Sequence, residues 1–343
     1  MESTANIDLV RWKAAAPRGK ISTRSFAAVL IACAGLSAFF SSWVPLQFSI
    51  VTVFLFAGPH NWFELRYFLM RLPLRFGQSR HFFVTAFAGI GLLTIAYLSL
   101  PVLYYAGVWS GESWTTAIAT WNMFVILWVA ALVSLRASLS KDRSWNWIWP
   151  LGFALIAFNW LRPELFSLGL VYAHPLVALW FLDRHLARTR PEWLRVYRRC
   201  LFIVPLLVGA IVWRLWGTQS LPDDNGLAWR ITQHAGGDIL PRVSTHLLVS
   251  VHVFLEMLHY GVWLIALPLI GAAGKIWDVN SVPVAKHPRG FRRFVAMLLF
   301  GGLFVVILLW LGFSTNYAAT RDIYFAVAIA HVLAEAPFLL RTL

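Results

Sequence analysis

Apolar stretches of about 20 residues recur along the whole chain between short basic loops, and few folds accommodate such a pattern. A helix needs about 20 mostly apolar residues to cross a bilayer, and lipid admits only elements that satisfy every backbone polar group internally. Such stretches lie near 25–43, 46–70, 83–106, 115–136, 146–160, 165–183, 201–217, 246–272, 293–314 and 322–340. The expected fold is therefore all-α, a polytopic membrane helix bundle of about ten transmembrane helices. Composition agrees, since hydrophobic residues make up 59% of the 343 and charged residues only 13%. Soluble domains carry roughly 25% charged residues, and a soluble chain this apolar would expose large greasy patches to water.

The formal net charge of +14 raises the possibility of a nucleic-acid partner. The cations are scattered through short loops and build no basic face, so no nucleic acid is expected, and they read instead as topology. With the N-terminus inside, 24 of the 29 Lys and Arg fall on the cytoplasmic side. Only Arg162, Arg214, Arg230, Arg242 and Arg321 fall outside. Adding or removing one helix would flip every later loop and erase that asymmetry. The expectation is N-in/C-in, a multi-pass protein of a bacterial inner membrane in contact with the lipid bilayer. Residues 1–24 form a cytoplasmic N-terminal segment with no evident cleavable signal. Residues 25–343 form a single transmembrane helical domain. Its outer loop near 217–245 carries the turn run Pro222-Asp223-Asp224-Asn225-Gly226 and is long enough to cap something. Cys33 and Cys200 are too far apart in sequence to suggest a disulfide framework or a thiolate metal site. Trp145, Trp147, Trp149 and Trp160 sit near helix ends, as interfacial anchors do.

Ionisable residues inside such spans are functional candidates by default. The spacing His-x-x-x-Glu occurs three times on three helices, as His60/Glu64, His252/Glu256 and His331/Glu335. His259 follows His252 at seven residues, and His174 sits in the sixth helix before Pro175. Spacings of four and seven return side chains to one helix face. All four helices are even-numbered and run outside to inside, so their histidines reach similar, central depths. Neutral imidazoles are the commonest metal ligands, and carboxylates orient them through the other ring N–H. Many histidines with few coordinating carboxylates suit iron, zinc or copper. His60, His174, His252 and His331, one per helix, are the first-choice ligands, with His259 as the close substitute. Glu64, Glu256 and Glu335 fit ligand-orienting or acid–base roles. Pro59, Pro175 and Pro337 free backbone carbonyls and favour kinks that open space at mid-depth.

Competing readings apply. Each histidine, taken alone, is as readily an interhelical hydrogen-bonding residue. His81, His185 and His287 fall in basic loops and read as solvated. His234 in the outer loop and His246 at the mouth of the eighth helix read as interfacial. Asn122 and Asn159 read as interhelical hydrogen-bonding residues.

The segment Gly58-Pro59-His60, with several histidines in otherwise apolar helices, resembles a Gly-x-Pro-His segment early in the Brp/Blh family of membrane carotene-cleaving dioxygenases. The chain departs from that pattern where Asn61 replaces a glycine, where the acidic group is Glu64, and in having more spans. The resemblance implies a histidine-ligated ferrous (Fe2+) site acting with O₂ on a carotenoid or other polyene, and carries over His60 alone. Iron is thus the first cofactor expected and an apolar small molecule the substrate. Alternatives are a haem-binding carrier or oxidase, a zinc hydrolase with Glu256 as base, and a transporter whose His and Glu form a proton relay.

Overall fold

The computed structural model describes residues 21–73, 77–108, 111–139, 144–222, 226–270, 278–286 and 291–342. Most of the N-terminal segment, the turn residues Asp223, Asp224 and Asn225, and His287 lie outside the described residues. Among the described residues every regular element is helical. In chain order these are α1 (Thr23–Trp43), α2 (Pro45–Arg71), α3 (Arg80–Tyr105), α4 (Gly111–Ser138), α5 (Ile148–Leu161) and α6 (Pro163–Thr189). There follow α7 (Pro191–Leu201), α8 (Ile203–Leu215), α9 (Leu227–His234), α10 (Thr245–Gly261), α11 (Leu267–Leu269), α12 (Arg292–Thr315) and α13 (Tyr317–Thr342).

Among the described residues, eight helical segments are long and apolar enough to cross a membrane, α7 and α8 together counting as one and α10 with α11 as another. Two further expected spans are also helical. The 27 residues of α2 suffice in length, but His60, Asn61, Glu64 and Arg66 reduce its apolarity. At 14 residues, α5 is short. The region 184–199, expected as a loop, is mostly helix, because α6 runs on to Thr189 and α7 follows directly. Amphipathicity explains α7: Trp193 and Tyr197 are buried while Arg195, Arg198 and Arg199 are exposed. Asp183 ties the two helices, accepting from Arg184 Nη2 at 2.6 Å and from Arg198 Nε at 2.8 Å. His185 is accordingly not a solvated loop residue. It is buried, with Nδ1 2.6 Å from Arg71 Nη2 and 3.3 Å from the Tyr67 hydroxyl.

The span of α10 is the most enclosed of the eight, 67% of its apolar window being buried. It packs against α1, α2, α6 and α8, while α13 packs against α2, α3, α4, α6 and α12. An apolar cluster beyond the polar interior stacks Phe68 on Phe338 at 4.3 Å and buries Trp263 against Phe68 and Phe181. Close approach of α12 to α2 depends on glycine. A Cβ at Gly58 would meet Val306 Cγ1 at 3.1 Å, and one at Gly302 would meet the Trp62 ring at 3.2 Å. On the other side, Asn122 Nδ2 donates to Asn159 Oδ1 at 2.8 Å and Asn159 Nδ2 to the Ala119 carbonyl at 2.8 Å. These two asparagines join α4 and α5, although Asn122 Oδ1 is left buried without a partner.

Candidate metal centre

Four helices, α2, α6, α10 and α13, each contribute one imidazole to a single buried cluster. The placement follows from local sequence. On α2 and α6 a proline adjoins the histidine, Pro59 before His60 and Pro175 after His174, and each removes a backbone donor from the ladder. On α10 a π-helical segment, Val262–Ala266, begins three residues after His259. Pro268 lies just beyond and cannot donate to the Leu264 carbonyl, which accounts for the widened turn.

Around the ring of four, centroids are 5.2 Å apart for His60–His259, 4.6 Å for His259–His174, 5.0 Å for His174–His331 and 5.4 Å for His331–His60. The diagonal His259–His331 is longer, 6.2 Å. Four near-equal sides and a longer diagonal describe four rings packed in one cluster, within which the potential ligand atoms form two groups that share His259. An ion held about 2.0–2.1 Å from each nitrogen sets neighbouring donor atoms roughly 3 Å apart. His331 Nε2 and His174 Nε2 are separated by 3.2 Å.

The remaining nitrogens show how the rings are held. His60 Nδ1 donates to the Phe56 carbonyl at 3.0 Å, and His174 Nδ1 donates to Glu335 Oε2 at 2.8 Å. Both contacts leave Nε2 as the lone-pair nitrogen, as in ligating histidines, and that of His174 is within hydrogen-bond distance of His331 Nε2. His259 is only 2% exposed. The Pro175 carbonyl approaches its ring, yet neither nitrogen has a hydrogen bond of proper geometry. Both carboxylate oxygens of Glu64, Glu335 Oε1 and His331 Nδ1 are likewise buried without a partner. Potential ligand atoms fall into two groups that lie within 4.8 Å of one another: His60, Glu64, His259 and His331, then His174, His259 and Glu335.

Energetics test whether these residues suit a cation. A buried polar atom without a partner costs roughly 1–3 kcal/mol. The two oxygens of Glu64 and two nitrogens of His259 thus impose a burden comparable with a domain's entire net stability of about 5–15 kcal/mol. Among the described residues no Lys or Arg pairs with Glu64 or Glu335. A divalent cation would satisfy the imidazoles and balance the carboxylates together, so the donor set fits a metal.

His252 lies apart from this ring. Its Nδ1 is 3.8 Å from Glu256 Oε2, and its ring stands 5.1 Å from His234 and 5.7 Å from Tyr172. Neither His252 nor Glu256 belongs to either ligand group. The buried Arg321 guanidinium acts on both. A cavity of about 430 Å³ nevertheless unites the two regions, since His60, His174, His252, Glu256, His259 and His331 all line it. Glu64 and His331 line a second cavity, of about 1240 Å³.

Several participants escaped sequence reasoning. Tyr260 packs on His60 at 4.5 Å, and the Tyr324 hydroxyl accepts from Asn61 Nδ2 at 3.4 Å. Tyr324 precedes His331 by seven residues, a same-face spacing that could have signalled it. His234, expected to be interfacial, ends α9 and faces His252 and Phe325. Burial first, then His252 and Arg321, hold its imidazole well below the usual histidine range. Arg321, counted from the sequence among the outer-side cations, is buried at 4% exposure. Compared with protein-family models, curated proteins and solved structures, the chain matches none.

Proposed function

We propose that this chain is a membrane-embedded metalloenzyme, an iron-dependent oxidoreductase of the dioxygenase type acting on an apolar, isoprenoid or carotenoid-like substrate. The observation that carries the reading is the square of four imidazoles, one from each of four helices, with buried partnerless donor atoms around it. Four neutral nitrogens would complete a tetrahedral zinc site and leave no position for water. Iron accepts further ligands, and when bound it supplies an open position at which O₂ is activated. Rings packed about 5 Å apart, as His174 and His331 are at 5.0 Å, leave no gap for a macrocycle between them.

The chain's own residues have defined tasks. Glu335 holds His174 in the tautomer that presents Nε2. Glu64 offers a carboxylate facing both the imidazoles and the second cavity, where it can take up or release a proton. The apolar cavity walls exclude bulk water and dissolve a substrate that water would not. The Gly58-Pro59-His60 resemblance supports the same choice of iron and polyene.

Metal analysis and a visible spectrum of detergent-purified protein test the reading. Bound iron without a Soret band is the expected result. A Soret band would transfer the site to haem, and stoichiometric zinc would transfer it to hydrolytic chemistry. Absence of any metal after reconstitution with ferrous ion would sink it in favour of a proton relay.

A further inference from the structure

The second cavity has two unlike ends. At one end Asn61, Glu64 and His331 belong to or adjoin the imidazole ring. At the other, Gly77 and Arg80 mark the start of α3. Between them the walls are Leu65, Phe68, Leu69, Ile90, Leu298 and Phe338, and the small Ala330 and Ala334 of α13 leave room. From Arg80 to Ile90 the cavity follows α3 for ten residues, about 15 Å at the helical rise. Its rim includes Val84, Phe87 and Phe294, which are 54%, 42% and 50% exposed on the face these spans would turn to lipid. The cavity therefore opens sideways into the bilayer.

Charge distinguishes the ends further. Arg80 is exposed, and among the described residues it has no ion pair or side-chain hydrogen bond. It begins a 26-residue helix whose N-cap, Ser79, makes no side-chain capping bond. A 3-10 turn, Gly77–Ser79, runs directly into α3, so it is the Arg80 cation at this end of the cavity that favours an anion. At the opposite end Glu64 is 1% exposed and partnerless, on the side where the ligand atoms gather.

We propose that this cavity binds a single-chain anionic amphiphile drawn laterally from the bilayer, its acidic head at Arg80 and its chain reaching Glu64 and His331. A carboxylate or phosphate head would be held by the same cation, and a chain spanning about 15 Å presents an interior or distal carbon to the centre. The inference rests on the metalloenzyme reading and names an acid-headed chain as the substrate class in place of a carotenoid, but the binding itself does not depend on metal.

Photo-crosslinking of the full chain in nanodiscs tests it, with two fatty-acid probes carrying a diazirine either near the carboxylate or at the chain terminus. The terminal diazirine should label peptides containing Asn61–Leu65 or Ala330–Ala334. The head-proximal one should label Pro73–Val84. Arg80→Gln should reduce labelling by the acid several-fold while leaving labelling by its methyl ester unchanged, and Ala334→Trp should abolish terminal labelling. A monoalkyl phosphate competing as well as the fatty acid would make a phosphate-headed lipid the source, and free inorganic phosphate should not compete. Even labelling along the outward faces of α3 and α12, or the reverse polarity, overturns the proposal. Metal measured in the same preparation separates the two readings: metal without site-selective labelling sinks this one alone, and labelling without metal sinks only the metalloenzyme.

Discussion

Two buried His/Glu clusters lie side by side along α10 and differ in where positive charge comes from. In the cluster of His234, His252 and Glu256, the Arg321 guanidinium acts on the carboxylate. In the cluster of His60, His174, His259 and His331, two carboxylates stand with no Lys or Arg among the described residues. The first has a cation of its own nearby, although Arg321 makes no ion pair with Glu256 and its Nε is buried without a partner. The second has imidazole and carboxylate atoms placed so that they could hold a cation. Identical His-x-x-x-Glu spacings thus carry different chemistry, and the deciding residue is an arginine on another helix.

The largest effect expected from this difference is on metal content. His259→Ala should remove bound metal almost entirely, whereas His252→Ala should leave it within twofold of wild type, both read by elemental analysis. If His259→Ala fails to insert, His259→Gln preserves volume and asks the same question. Equal loss from both variants would mean that the clusters form one centre.

A smaller effect should come from Arg321→Met, which strands Glu256 in an apolar setting. Arg321 and Glu256 are not in direct contact, so the variant removes a through-space attraction rather than a salt bridge. The thermal midpoint in detergent should fall while metal content holds. Loss of metal with unchanged midpoint would reverse the assignment of the two clusters.

The smallest effect concerns pH. His234 has its folded-state affinity for protons lowered by burial, His252 and Arg321, so the unfolded chain binds more protons once pH falls below the ordinary histidine value. Stability should therefore be fully present above about pH 6.5 and decline as pH falls below it, by up to about 1.4 kcal/mol per pH unit from this group. His234→Gln should flatten that part of the profile, measured by thermal unfolding between pH 7.5 and 5.5. An unaltered slope would place the titration elsewhere.

Much of this was legible in the chain before any coordinates. Ten apolar stretches became helices because length and apolarity are local properties, and eight satisfy both in full. His60, His174 and His331 could be nominated together because four-residue spacing, proline neighbours and depth are readable along a helix. The sequence reading ranks His252 ahead of His259, whereas the ligand groups contain His259 and not His252. They lie seven residues apart on one face of α10, and either could meet the other three by depth alone. The turn that does so is fixed by how α10 packs on α2 and α6.

Sequence alone determined the all-helical class, the abundance of spans and the stock of buried imidazoles and carboxylates. Each follows from side-chain hydrophobicity and the bilayer's intolerance of unpaired backbone groups. Tertiary structure alone decided which histidines share a cluster, which glutamate has Arg321 as its counter-charge, and where the cavities open. Those depend on helix rotation and neighbour choice, which are set by contacts such as Gly58 on Val306 and Trp62 on Leu299 that join residues over two hundred positions apart.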